Sequence, residues 1–265
     1  MLEIDNVGVT YGAGTAAFIA ISDVNFTVAA GEFVSVVGPS GSGKTTLLRC
    51  LSGLMPVTSG AVRLQGREIS GPPESMALVF QDYSRSLMPW LTVRKNIAFP
   101  LRASRARRGL ADASVQRAID AVGLTAASDK YPWQLSGGMQ QRVAIARAVA
   151  YEPSVLIMDE PFASVDAQTR FELEDLILRI RRDFGVTIVF VTHDVDEAVY
   201  LSDRVVVLGG RPTTVQETLT IDLPRERRQD RTKDMPRFAH LRTELYRLLR
   251  DSPSTASIPT TEKER

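Results

Sequence analysis

The stretch Gly38-Pro39-Ser40-Gly41-Ser42-Gly43-Lys44-Thr45 restricts what this chain can fold into more than any other feature. It fits the pattern G-x-x-x-x-G-K-[ST] at every fixed position. The short apolar run Glu32-Phe33-Val34-Ser35-Val36-Val37 precedes it, and Thr46-Leu47-Leu48 continues it as a helix. A strand, a glycine-rich turn and a helix in that order make one half of a βαβ unit. The composition of the turn has a chemical reason. Several backbone N–H groups must point inward at phosphate oxygens, and glycine permits both the dihedrals and the close approach. The following helix adds the positive end of its dipole. Lys44 is then placed to neutralise the β- and γ-phosphates, and the Thr45 hydroxyl to ligate Mg²⁺. Many enzyme classes share such a loop, so it predicts nucleotide binding and leaves the reaction open.

The rest of the chain reads as α/β. Leu2, Ile4, Val7 and Val9 mark one apolar face near the start, and Phe26 and Val28 another. Further strand-length runs lie at residues 61–64, 76–80, 155–158, 187–191 and 204–208. The last three lack alternation and are rich in Val and Ile, which predicts strands buried on both faces of a parallel sheet. Between residues 91 and 150 the spacing becomes helical, with Val93, Ile97 and Leu101, then Val115, Ala118, Ile119 and Val122, then Met139, Val143, Ala146 and Val149. A helical subdomain inserted in the α/β core is expected there, and the basic run 102–109 is expected to be a solvated loop. Beyond residue 224 the chain carries a charge run, 225–234, expected to be a solvated linker. Phe238, Leu241, Leu245, Leu248 and Leu249 suit one amphipathic helix of about residues 237–250, and a disordered tail is expected over 251–265.

Charge and cysteine content narrow the classes. Lys and Arg total 32 against 31 Asp and Glu, so the basic footprint of a nucleic-acid partner is missing and none is expected. The single cysteine, Cys50, forms no internal disulfide, which fits a reducing compartment. The opening residues lack a signal peptide's pattern, and nowhere do about 18 apolar residues run together. A protein of this kind that serves a membrane docks onto the helices of another chain.

Two more strand ends carry polar chemistry. Val155-Leu156-Ile157-Met158 leads into Asp159 and Glu160. A strand-end Asp holds Mg²⁺ beside a phosphate loop, and Glu160, facing differently, can polarise an attacking water as general base. Thr187-Ile188-Val189-Phe190-Val191-Thr192 delivers His193 in the same way, within reach of a γ-phosphate. Ligands of open α/β sheets gather at such ends.

Leu135-Ser136-Gly137-Gly138-Met139-Gln140 resembles the L-S-G-G-x-Q signature of ABC ATPases, 92 residues after Lys44 (136 − 44) and shortly before Asp159. Ser136 with the backbone of Gly137 and Gly138 makes a second anion-binding helix start. The resemblance covers roughly residues 1–215. It implies a P-loop NTPase (RecA-like) core, an N-terminal antiparallel β subdomain and the inserted helices, together forming an ATPase domain over residues 1–223. It implies that ATP contacts Tyr11, residues 38–46 including Thr46, and Ser136, Gly137, Gly138, Gln140 and Asp166. Catalysis falls to Glu160, His193, Lys44 and Gln81, and Mg²⁺ to Thr45, Gln81 and Asp159. Ala163-Ser164-Val165-Asp166 is similar to the D-loop, usually S-A-L-D, and departs from it at Ser164 and Val165. In this family two subunits pair head to tail, each nucleotide lying between one subunit's phosphate loop and the other's Ser136 region.

Phe80-Gln81-Asp82, the run Leu87-Met88-Pro89-Trp90-Leu91-Thr92-Val93 and Asp166-Ala167-Gln168-Thr169-Arg170 resemble the nitrate/sulfonate/taurine importer ATPases. That resemblance implies an importer subunit for a small anion, peripheral on the cytoplasmic face of the inner membrane. Its expected partners are a second ATPase copy, transmembrane permease subunits and, through them, a periplasmic or extracellular solute-binding protein. In such importers Leu87 and Trp90 are either the floor of the groove that receives the permease or ordinary core. An exporter ATPase or a non-transport ABC ATPase is the alternative, although 92 residues between Lys44 and Ser136 leave no room for the long coiled coils of DNA-maintenance versions.

Overall fold

A computed structural model of the chain describes residues 1–103 and 111–251. In one sheet β1 (Leu2–Tyr11) lies between β2 (Phe18–Val28) and β4 (Ser59–Leu64), antiparallel to both, with β5 (Arg67–Glu68) on the far side of β4. The buried set of β1 switches from even to odd numbers, Leu2 and Ile4 and then Val7 and Val9. Plain alternation sends the two pairs to opposite faces. A register irregularity between Ile4 and Val7, with Asn6 at φ 49°, inserts a residue and brings all four to the core.

The second sheet has the order β10 (Thr214–Thr220), β9 (Arg204–Gly209), β3 (Phe33–Val37), β8 (Thr187–Val191), β7 (Val155–Asp159), β6 (Met76–Val79). Neighbours from β9 to β6 are parallel, while β10 runs antiparallel to β9. So β7 and β8 have two parallel neighbours, as their unbroken apolar sequences predict, and β9 has only one. β7 and β8 are buried from end to end because both faces are covered. Val34, Val36, Val155, Ile157, Val189 and Val191 point to a core shared with the first sheet and α1 (Lys44–Leu51). Phe33, Val37, Leu156, Met158, Ile188 and Phe190 point to a second core, built with the helices.

That second core takes in α3 (Val93–Ala103), α4 (Ala111–Ala121) and α5 (Gly137–Ala150), which pack through the positions their spacing predicts; Met139 alone is only partly buried. The short α2 (Tyr83–Ser86) precedes them. Asn96, fully buried, donates to the carbonyls of Met88, Leu91 and Thr92 and accepts from the Met88 N–H, pinning the turn between α2 and α3. There Leu87 is core and Trp90 is 72% exposed. Cys50 sits in α1 as a small buried hydrophobe, its thiol pushed by burial up to about 11.

Toward the C-terminus come α6 (Ala167–Phe184), α7 (Val195–Leu201), α8 (Gln229–Thr232) and α9 (Pro236–Asp251). Phe238, Leu241 and Leu245 bury the inner face of α9, which lies against α7. The charge run 225–234 is not the solvated linker its composition suggests. Arg227 donates to the carbonyls of Tyr200 and Ser202 at 2.6 and 2.7 Å, closing the end of α7. Lys233 pairs at 3.0 Å with Glu174, whose side chain is 1% exposed and needs a counter-charge there. Residues 104–109 of the basic run and 252–265 of the expected tail lie outside the described residues, while Asp251 ends α9. Among the described residues no helix is long and apolar enough to cross a membrane.

Candidate nucleotide site

The C-terminal ends of β3, β7 and β8 meet at one edge of the parallel sheet. Gly38 opens the turn after β3, where an added Cβ would lie 2.6 Å from the Leu208 carbonyl oxygen, so only glycine passes. Gly41 and Gly43 have φ of 78° and 71°, the left-handed region. With Gly43 as N-cap, α1 begins without any side-chain cap, leaving its first N–H groups for an anion. Lys44 is buried and donates from Nζ to the carbonyls of Gly38 and Pro39 at 2.8 and 3.0 Å. Burial pulls its pKa down, and the nearby Glu160 and Asp159 pull it back up. The Ser42 hydroxyl is buried without a hydrogen-bond partner. An orphaned donor inside a loop of open N–H groups is what a phosphate oxygen would satisfy.

Asp159 ends β7 almost fully buried. Burial raises its pKa, the charge of Glu160 raises it further, and Lys44 and Arg49 oppose both. Glu160 then turns at φ 41°, a left-handed conformation costing a non-glycine residue about 1–2 kcal/mol, while its N–H donates to the Val191 carbonyl at 2.9 Å. His193 Nδ1 lies 3.1 Å from Glu160 Oε2, and Gln81 Nε2 donates to the same oxygen at 3.4 Å. Gln81 and His193, 79 and 33 positions from Glu160 in the chain, thus converge on one of its carboxylate oxygens.

The structure brings Lys44, Asp159, Glu160, Gln81 and His193 together. Tyr11, at the exposed end of β1, has its hydroxyl 3.2 Å from Thr46 Oγ1, which places it beside the loop. For Mg²⁺, Thr45 offers an exposed hydroxyl, Gln81 an amide and Asp159 a carboxylate. Among the described residues no group of three or more His, Cys, Asp or Glu could hold a metal. So sparse an oxygen set fits a small hard cation that shares its shell with phosphates and water.

Ser136, Gly137, Gly138, Gln140 and Asp166 form a separate locus. Ser136 caps α5, accepting from the Met139 N–H at 3.4 Å. At Gly138 an added Cβ would meet Thr169 Cγ2 at 2.4 Å, because the start of α5 presses against α6. Gln140 spends its amide on the carbonyls of Pro132 and Leu135, tying down the approach to the signature. Asp166 caps α6 by accepting from the N–H and hydroxyl of Thr169, which holds its carboxyl below the usual range. The concavity at Ser136 is lined also by Gly138, Met139, Arg142, Thr169 and Glu172, and by no residue of 38–46. Sequence reasoning missed Arg49 and the group Arg170, Thr192, Asp194 and Glu197 around His193. The acids at 194, 196 and 197, straight after the histidine, were the available signal.

Residues 21–163, more than half of the chain, match the family described as ABC transporter. The chain belongs to the ABC transporter family. Among curated ABC relatives, the nitrate import ATP-binding protein NrtD of Synechococcus elongatus is 45% identical, over 93% of this chain and 92% of its own length. NrtC of the same organism is 44% identical over 94% of this chain, which spans only 38% of that longer protein. The bicarbonate transport ATP-binding protein CmpD of a Synechocystis species is 41% identical over 91% of this chain and 86% of its own length. Among solved structures, a dimeric ATP-binding cassette in a post-hydrolysis state with ADP and Pi aligns with a TM-score of 0.71 and 30% identity. It covers 83% of this chain and 99% of that one. As an ABC protein the chain is a transport ATPase with a P-loop NTPase core.

Proposed function

We propose that this chain is the ATP-hydrolysing subunit of an ABC importer for a small anion of the nitrate or bicarbonate kind. It works as a head-to-tail pair bound to permease subunits on the cytoplasmic face of the membrane, with a solute-binding protein delivering the anion to the permease from outside. The convergence of His193 and Gln81 on Glu160 Oε2, beside the Lys44 loop, carries the catalytic part of this reading. The names of the relatives support the solute class.

In this reading the N–H groups at the start of α1, the Ser42 hydroxyl and Lys44 hold the triphosphate. Mg²⁺, held by Thr45, Asp159 and Gln81, would supply neutralisation of the phosphate charge. Glu160 Oε2 accepts a proton from water as the water oxygen attacks the γ-phosphorus; the bond to the β–γ bridging oxygen breaks, and ADP leaves with phosphate. Through Nδ1, His193 orients that carboxylate and keeps Nε2 for the γ-phosphate. Ser136 and Gly138 of the second copy close over the same phosphate. ATP therefore joins the pair and hydrolysis releases it, which biases the permease between its two states.

Glu160→Gln tests the assignment. The variant should bind ATP normally, hydrolyse it about a thousandfold more slowly, and accumulate as a dimer in size-exclusion runs with ATP. Unchanged turnover would remove Glu160 from the role of base.

A further inference from the structure

His193 is 64% exposed by its side chain, yet the loop that carries it is fastened on both flanks. Before it, the Thr192 N–H donates to the Val36 carbonyl, and the Thr192 hydroxyl donates to Glu197 Oε2 at 2.5 Å while accepting from the Asp194 N–H at 3.0 Å. After it, Asp194 Oδ1 caps α7 by accepting from the N–H groups of Asp196 and Glu197. A side chain from α6 enters this cluster, while Arg242 of α9 faces Asp196 at 3.9 Å. Arg170, in the first turn of α6, donates to Asp194 Oδ2 at 3.1 Å and faces Glu197 Oε1 at 3.6 Å. Its backbone N–H donates to the Asp166 carbonyl, so its backbone lies one turn from the Asp166 cap.

The bridge is incomplete on one side. Arg170 Nε is buried and has no hydrogen-bond partner, although Glu197 stands only a few tenths of an ångström beyond hydrogen-bond reach. Glu197 is itself buried, 6% exposed, and its other oxygen is committed to Thr192. A small displacement of α6 against α7 makes or breaks this contact, and the motion reaches Thr192 and hence His193 through one hydrogen bond.

We propose that Glu197 and Arg170 are positioning residues for hydrolysis: they set the His193 ring against Glu160 and tie that setting to the helix capped by Asp166. They act through His193, by way of Thr192 and Asp194 on its two sides. The proposal rests on hydrolysis at the Glu160 centre, so its test includes controls that fail separately.

The experiment is a double-mutant cycle on the full-length chain. Glu197→Ala should lower kcat about tenfold, a modest fraction of what a 1 Å misplacement costs, with KM for ATP changed less than about twofold. Glu197→Gln, whose amide oxygen can still accept from Thr192, should recover most of the rate. In a His193→Ala background the Glu197→Ala change should alter kcat less than about twofold, because the group it positions is gone. The chain has two histidines, His193 and His240, so their ring signals are readily assigned by nuclear magnetic resonance. Glu197→Ala and Arg170→Ala should each move the His193 resonance and leave that of His240 in place. An unchanged kcat in Glu197→Ala, an equal loss in both backgrounds, or an unmoved His193 signal overturns the proposal. If Glu197→Ala does not fold, Arg170→Ala, at a partly exposed side chain, is read by the same three criteria. Normal turnover by Glu160→Gln would instead sink the assignment of the base and leave the cycle interpretable.

Discussion

The starts of α1 and α5 are both built to face an anion, and they are finished differently. Gly43 leaves α1 without a side-chain cap, and Ser42 and Lys44 are buried beside those open N–H groups. At α5 the serine of the signature already occupies the Met139 N–H. The first helix start has unspent donors and a buried cation; the second has one of its donors taken by its own chain. On the proposed reading, phosphate affinity belongs mainly to the first, and the second adds its contacts only once a nucleotide is held against it by another copy.

Three substitutions, and a fourth that rescues the last of them, bear on that contrast. Lys44→Ala removes the buried cation and should weaken ATP binding about 100-fold in calorimetry, since a charged hydrogen-bonding partner contributes about 1.5–3 kcal/mol. Retained affinity would erase the difference between the two helix starts. Ser136→Arg should leave ATP binding by the isolated chain within about threefold while hydrolysis falls about 100-fold, as for the loss of one oriented transition-state donor. If binding fell as far as hydrolysis, Ser136 would belong to the same half-site as Lys44. The smallest effect is structural. Gly138→Ala pushes a methyl against Thr169 Cγ2 and should destabilise the chain by about 1–2 kcal/mol in chemical denaturation. Thr169→Ser, which removes that methyl and keeps the hydroxyl for Asp166, should recover most of the loss.

What was legible in the sequence shares a physical character. The phosphate loop, the strand-end carboxylates and His193 are each announced by a local pattern, an apolar strand running into polar or glycine residues, because a strand end fixes direction within a few residues. The same holds for the helical faces of α3, α4, α5 and α9, where period alone marks the core. Pairings chosen across the fold left no such trace. Arg227 reads as part of a solvated run because nothing nearby in sequence shows that the end of α7 lies beneath it. Arg170 and Glu197 are 27 residues apart (197 − 170), and only the packing of α6 on α7 brings them together. The bulge at Asn6 was visible as a change from even to odd apolar positions, but its conformation was not.

The central sheet has a core welded to each face, with neighbouring residues of one strand gripping opposite sides. Such a plate resists bending, so a displacement applied to one layer tilts the whole of it. Val36 and Phe190, Ile157 and Met158 are then teeth on two sides of one rocker, and the strand ends at Val37, Asp159 and Val191 travel as its rim. A load on the helical layer is therefore expected to move the phosphate loop and the carboxylates in step, keeping their mutual spacing.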